Sequence, residues 1–562
     1  MQKVKLLFKN HSSWLDIIVC FLLAFIITDA NMFISTDKTE HTPLTIAQSI
    51  GTFACFYILS IIFRILFQEL ANSKLSKNKF SKLLNKIFNS KHSFLIITFI
   101  IFCCWIPALI MLYPGTLIND SWGQLNQVLE LQNGNWTLSA HHPVFDTAIM
   151  SIIIIPIRNL FNNWHIGFFA YTIIQAFCTS LTFAFSITYM HSKFKQSKLV
   201  SFIFLLIYCF FPIFVASVQT ISKDALSAWI YLLFIICFIE IIRTKNAFLK
   251  SKRSLFTFLA VCTLCILTKK VETYIILGSL VSLLIFQKEN RIRTLIPIGF
   301  VLVLSFIVSP TIQQTFNIKP SGTQEILSLP FQQTARYVKE NPDQVTEDEK
   351  AIINKVLIYD RLTSDYNPVN ADPIKGGVPL SNDQQDYKNY LQVWAKQAIN
   401  QPSSYISATN DHLAGWFSFS PYQPLTNMNH HNQINSTLIP EETASRSPFF
   451  STTANLFDNI YSFIANIPIV GLIFTFAFFA TVLPFFLLCT FIKRRKNTTQ
   501  KYLLVCIPLF LSIFIGCYLA PVSAHLEGIR YLYPITYTTP IMLMLAISTY
   551  RDTKQSTMHK SN

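Results

Sequence analysis

Charge is scarce in this chain: Asp, Glu, Lys and Arg make up 13% of its 562 residues, whereas 51% are hydrophobic. A soluble chain of this length would divide into several domains with far more surface charge, so that class is excluded. Glycine is scarce too, at 14 residues, which argues against a transporter built from Gly-broken helices in matched halves. All 12 cysteines, from Cys20 to Cys517, fall inside apolar blocks, and none lies in the long polar segment 311–460. A disulfide-stapled outer domain is therefore excluded. Cys262 and Cys265 have CxxC spacing but sit in the middle of an apolar block, where they read as packing. The sequence carries no internal repeat, heptad run or low-complexity tract.

What the chain does have is apolar blocks of roughly 15 to 25 residues, the length a helix needs to cross about 30 Å of hydrocarbon. Leu15 to Met32, Leu44 to Phe67 and Phe94 to Leu112 are the first three, and Phe alone occurs 51 times. The first block is too long for a signal peptide and lacks a small-residue cleavage site, so it is expected to stay as an anchor. The net charge of +16 does not indicate a nucleic-acid partner. Lys and Arg lie mostly in short loops between apolar blocks, where they orient helices by the positive-inside rule.

That rule threads the chain. Lys3, Lys5 and Lys9 put the N-terminus inside, and the mixed loop 35–43, with Asp37, Lys38 and Glu40, goes outside. Loop 68–93 holds Lys74, Lys77, Lys79, Lys82, Lys86 and Lys91 and goes inside, whereas 113–145 has no Lys or Arg and goes outside. If 146–161 and 165–190 both crossed, Lys193, Lys195 and Lys198 would face outward. Laying 144–161 along the outer surface restores the alternation. Arg243 to Arg253, Lys288 to Arg293, Lys493 to Lys501 and the tail Arg551 to Lys560 then fall inside, and 217–224, 268–272, 311–460 and 520–530 outside. The expected fold is an all-α polytopic membrane protein with about 12 transmembrane helices and both termini cytoplasmic. Its expected parts are two spans and a basic loop (1–93), a membrane core (94–310) with a first outer loop at 113–164, an extracytoplasmic domain between spans 9 and 10 (311–460), and three last spans with a cytoplasmic tail (461–562).

Segment 311–460 has soluble character, with 15 acidic and 10 basic residues and breaks at Asn341-Pro342, Asn367-Pro368 and Asp372-Pro373. Leu329 to Glu340 and Gln384 to Ile399 read as helices, the second with Tyr387, Leu391 and Trp394 on one face. Pro330 falls in the first turn of the first, where its missing N–H costs nothing.

Charges at membrane depth are costly and mark candidate sites. Most gather at outer helix ends: Asp120 after Tyr113-Pro114-Gly115, His141-His142-Pro143 with Asp146, Lys223-Asp224, Lys269-Lys270 with Glu272, and His525, Glu527 and Arg530. One shared depth suggests one polar cavity, the alternative being separate snorkelling side chains. Asp16 and Asp29, near the ends of the first block, read as interfacial. Adjacent His side chains diverge and no HxxxH or HxH spacing occurs, so the sequence specifies no cofactor, and a divalent metal at His141-His142 stays an open alternative. Lys269 and Lys270 oppose the outer charge bias. Either Glu272 balances them or a phosphate does. Arg530 beside Tyr531 and Tyr533 fits either this role or an interfacial anchor.

These motifs, with Gln124, Tyr274, Leu329-Pro330, Gln333, Arg336 and Arg530-Tyr531 with Pro534, resemble the GT-C superfamily of membrane glycosyltransferases. That superfamily includes protein O-mannosyltransferases and the aminoarabinose transferases of lipid A. The chain is similar also to a bacterial group of multi-spanning proteins of unknown function related to it. The first loop departs from the superfamily in having no Asp-Asp or Asp-Glu pair, and the two spans before it are additional. The resemblance implies a bacterial plasma-membrane enzyme that takes a sugar from a polyprenyl-phosphate carrier at the outer face. The acceptor would be a cell-envelope glycan, lipid or protein. On that expectation Asp120 is the general base, and Lys269, Lys270 and Arg530 neutralise the departing phosphate. His142, beside His141, orients Asp120 or the sugar, Lys223 and Asp224 form a structural pair, and Gln333 and Arg336 cover the acceptor. A flippase of lipid-linked saccharide and a non-catalytic membrane scaffold are the competing classes.

Overall fold

A computed structural model describes residues 12–36, 42–73, 79–136, 138–376, 380–381, 383–419, 438–440, 443, 445–495, 501–524 and 528–558. The expectations placed on Lys3, Lys5, Lys9, the loop residues Asp37, Lys38 and Glu40, Lys74, Lys77, His525, Glu527 and Lys560 lie outside the described residues. The protein is mostly helical, at 81%, which puts it in the all-α class. Its β structure among the described residues is a pair of two-residue strands and a few isolated bridges.

The N-terminal half comprises α1 (Trp14–Thr36), α2 (Pro43–Asn72), α3 (Lys79–Phe88), α4 (Ser93–Met111), strand β1 (Thr116–Leu117), α5 (Asn119–Gln132), α6 (Val144–Phe161) and α7 (Trp164–Lys193). Then come α8 (Lys198–Phe210), α9 (Pro212–Val218), strand β2 (Thr220–Ile221), α10 (Lys223–Arg243), α11 (Lys252–Thr268) and α12 (Glu272–Phe286). After α13 (Arg291–Thr315) come α14 (Ser328–Glu340), α15 (Gln384–Asn400), α16 (Pro402–Phe417) and α17 (Pro448–Ala465). Helices α18 (Leu483–Arg494), α19 (Tyr502–Tyr518) and α20 (Ile529–Met558) complete the chain.

Seven described helices are long and apolar enough to cross a membrane, or eight if α8 and α9, bent by 52° at Pro212, count as one. This is fewer than the expected twelve. The other expected crossings are helical too, but α11 and α12 are short, at 17 and 15 residues. Helices α18 and α19 are joined to π-helical turns, and α20 carries Pro534 and Pro540 among Tyr and Thr residues. An interior helix packs against protein rather than lipid, so it tolerates such interruptions. Helix α10 is the centre, with 78% of its most apolar window buried, whereas the equally apolar α13 is 11% buried and lies at the rim. Outward faces carry Phe21, Phe99, Ile152 and Phe306 in exposed positions, a surface suited to lipid and hazardous in water.

The Lys-rich loops meet at one end. Asn89 contacts His191 at 3.1 Å, Lys198 bonds Asn85, and Ser73 contacts Ser197 at 3.2 Å. At the same end Gln196 donates to the Met544 carbonyl (3.1 Å), Asn246 to the Glu289 carbonyl (2.7 Å), and Lys501 to the Phe286 carbonyl. The Lys-poor loops meet at the other, through the β1–β2 pairing, the Ser139–Lys319 bridge and the bond from His412 to the Ala520 carbonyl at 2.8 Å. Helix α6 is itself one of the seven by length and composition, and its buried face packs against α7. Its Met150 and Ile154 join Trp164 and Phe168 of the first turns of α7, together with Leu117, Trp122 and Ile221. Arg158 sits over the Trp164 ring at 4.9 Å.

The polar segment 311–460 has its own small core of Phe331, Ala335, Val338, Ile353, Leu357, Tyr387, Tyr390 and Val393. Both expected helices are present, as α14 and α15. The buried face of α15 is Tyr387, Tyr390, Val393 and Gln397, while Leu391 is exposed, so the expected stripe is displaced by a turn's fraction. Asp16, near the start of α1, is not left to solvent. It is buried against Arg64 of α2 in a two-pronged ion pair, with Thr490 of α18 accepting a third bond from Arg64 at 3.3 Å. The local sequence does not show this partner, 48 residues away.

Candidate functional site

The site is set by the smallest sheet a protein can have. Thr116 pairs with Thr220 and Leu117 with Ile221 in parallel register. Each strand runs directly into a helix, so the pairing lays the N-termini of α5 and α10 side by side. Gly115 opens β1 with φ +110°, and an added Cβ there would lie 2.6 Å from Thr172 Cγ2 and 3.0 Å from the Gln219 carbonyl. Only glycine accepts that backbone and that approach. Ser121 of α5 donates to the Ile221 carbonyl, and Ser222 caps α10 by accepting from the Ala225 N–H at 3.2 Å.

Asp120, in the first turn of α5, thereby meets Lys223, the first residue of α10. Lys223 Nζ donates to Asp120 Oδ2 at 2.6 Å, and Arg530, at the start of α20, donates to the same oxygen at 2.9 Å. His142 Nδ1 lies 3.0 Å from Lys223 Nζ and 3.8 Å from Asp120 Oδ2. The Asp120 side chain remains 19% exposed, so a reactant can reach it. Burial alone would raise the Asp120 pKa, but Lys223 and Arg530 together hold it well below the usual carboxylate range. Burial and the neighbouring Lys223 push His142 down to about 3, so it stands neutral and accepts from the ammonium.

Lys223 and Asp224 do not pair with each other. Successive helical residues point about 100° apart, and Asp224 instead takes Lys269 at 2.6 Å, both buried. Lys269 also lies 5.8 Å from the Tyr531 ring centre. Lys270 forms no ion pair with Asp120. It bonds the Ala140 carbonyl and Ser321 Oγ (2.6 Å), tying the loop before α6 to the start of the long polar segment, and burial lowers it to about 8. Glu272 balances neither lysine at ion-pair distance. It is buried, and its Oε2 makes no hydrogen bond among the described residues. His141 stacks edge-on to His142, with ring centres 4.5 Å apart.

Gln333 and Arg336 belong elsewhere. Gln333 bonds Thr409 (2.9 Å) and Trp394 (2.9 Å), and Arg336 pairs with Asp411 and Glu340 beside a separate cleft of about 820 Å³ lined by Phe33, Lys339 and Tyr366. Among the described residues no group of three His, Cys, Asp or Glu is placed to hold a metal.

Two contributors were not read from the sequence. Gln124, whose side chain carries no charge signal, donates to Asp146 at 2.6 Å and to Thr147 at 3.0 Å, locking α5 onto α6 behind Asp120. Arg446 reaches the Gly115 carbonyl (3.2 Å) and Thr116 Oγ1 (2.8 Å), bracing β1 from the far end of the polar segment. A lone Arg among Ser and Pro residues gives no local signal of that reach.

Residues 132–560 match a family of unknown function, DUF6020. The chain belongs to that family. The DUF6020 match takes in His142, Lys223, Lys269 and Arg530 and begins after Asp120. No curated protein and no solved structure matches the chain.

Proposed function

We propose that this DUF6020 protein is a membrane glycosyltransferase of GT-C type. It would move a sugar from a polyprenyl-phosphate carrier to a cell-envelope glycan, lipid or protein on the extracytoplasmic face of the bacterial plasma membrane. The observation that carries the reading is the single carboxylate oxygen of Asp120 held between Lys223 and Arg530 at the Lys-poor end. A phosphate presented there competes for both cations, since charge-assisted bonds to phosphate are short and strong. As the cations move to phosphate, Asp120 loses the interactions that keep its pKa low and becomes a better base.

In the proposed reaction the acceptor hydroxyl oxygen attacks the anomeric carbon. The bond from that carbon to the lipid phosphate oxygen breaks, and its electron pair leaves on the phosphate. Asp120 accepts the hydroxyl proton, while Arg530 and Lys223 stabilise the phosphate. Lys269, already neutralised by Asp224, acts at longer range, and Lys270 positions the His142 loop. Twelve crossings with cytoplasmic termini and α6 lying on the outer surface complete the proposed topology. Support for it comes from the gathering of the Lys-rich loops and from the packing of α6 on the first turns of α7.

The test is transfer of labelled sugar from membrane lipid extract to envelope acceptors by purified protein in liposomes. Asp120→Asn keeps the side-chain volume and removes the base, so turnover should fall by about 10² to 10⁴. Translocation of the lipid-linked sugar with its glycosyl bond intact would replace this reading with a flippase.

A further inference from the structure

A second cavity, of about 740 Å³, opens at the Lys-rich end, opposite Asp120. Its size lies within the range of about 300 to 1,000 Å³ common to small-molecule sites. It is bounded by the ends of α4, α7, α10 and α11 nearest the Lys-rich loops. Its walls are amphipathic: Phe94, Phe185 and Leu233 line it, and so do Lys91, Lys193 and Arg253. All three cations are exposed, and none forms an ion pair with a described residue. The one carboxylate in the lining, Glu240, is already occupied. It takes Arg243 at 2.6 and 2.7 Å and the Tyr189 hydroxyl at 2.8 Å. The cavity therefore presents uncompensated positive charge beside an apolar wall that includes the half-exposed Phe185.

Water fills such a space poorly on its apolar side, and a free phosphate would use only the cations. A molecule with a phosphate and a hydrocarbon tail satisfies both. We propose that this cavity holds an anionic phospholipid, its phosphate among Lys91, Lys193 and Arg253 and its acyl chain against Phe94, Phe185 and Leu233. Basic pockets between helices on the Lys-rich side of a membrane protein are suited to anionic headgroups. The inference is independent of the transferase reading, because none of these residues belongs to the Asp120 site.

The experiment is native mass spectrometry of the full chain after equilibration with equal amounts of phosphatidylglycerol and phosphatidylcholine. The wild-type protein should retain phosphatidylglycerol in marked preference. Each cation near an anionic group contributes roughly a factor of five, so Lys91→Gln/Lys193→Gln/Arg253→Gln should weaken retention by about 10²-fold. Lys288→Gln/Arg291→Gln, which removes cations of the same end outside the cavity, should leave the preference intact. Thr257→Trp, at an exposed lining position, should reduce occupancy by filling the space. Equal retention of the two lipids by the wild-type protein would overturn the proposal without recourse to any variant. So would equal losses in the triple variant and the control pair.

Discussion

Lys223 and Asp120, 103 residues apart, meet at 2.6 Å because two dipeptide strands fix the starts of their helices in register. The contact makes Lys223, rather than Lys270, the lysine that governs the carboxylate. Lys223→Met should therefore lower sugar transfer by about 10²-fold or more, the usual cost of removing one preorganised charge partner. Lys270→Gln should stay within about tenfold of wild type, because its bonds go to Ala140 and Ser321. The liposome transfer assay ranks the two, and a larger loss in Lys270→Gln would reverse the assignment.

The sidedness of the fold is open to chemical labelling. In a cysteine-free background, Asn135→Cys and Ser403→Cys occupy exposed positions on Lys-poor segments, and Lys288→Cys an exposed position on a Lys-rich one. An impermeant maleimide added to intact cells should label the first two and spare the third until the membrane is opened. Labelling of Lys288→Cys on intact cells would invert the threading.

The pair Arg64–Asp16 lies wholly inside the packing of α1, α2 and α18. Arg64→Leu strands a buried carboxylate and should destabilise the protein by about 3 to 5 kcal/mol, whereas the double change Arg64→Leu/Asp16→Leu should recover much of that loss. Thermal unfolding in detergent gives the cycle. A double variant no more stable than Arg64→Leu would mean the charges serve packing alone.

His142 gives the site a pH signature. Its pKa falls from 6.5 in the unfolded chain to about 3 in the folded protein. The folded state therefore binds fewer protons between those values. This group's contribution to stability is full above about pH 6.5 and is lost progressively as pH falls toward 3. The melting temperature should drop on acidification below about 6.5, and His142→Gln should flatten that part of the profile. An unchanged slope in His142→Gln would assign the acid sensitivity to the carboxylates.

The positions that depend on local pattern were legible in the sequence. Apolar blocks marked the helices, Lys counts sorted their ends, and the Pro-punctuated polar segment marked a separate small core around Phe331 and Tyr390. Charge at helix ends also picked out Asp120, His142, Lys223 and Arg530, which the fold does bring together. Partners were another matter. Asp224 goes to Lys269 rather than to Lys223, and Arg336 serves a different cleft. Asp16 finds Arg64 in the interior, and Arg446 braces Thr116 from 330 residues away. A sequence fixes which residues are costly to leave unpaired, because desolvation depends on the residue and its surroundings in a block. Which partner answers each depends on a few ångströms of register and helix rotation. Here the two-residue β1–β2 pairing and the packing around α10 supplied that register, and only the tertiary structure contains it.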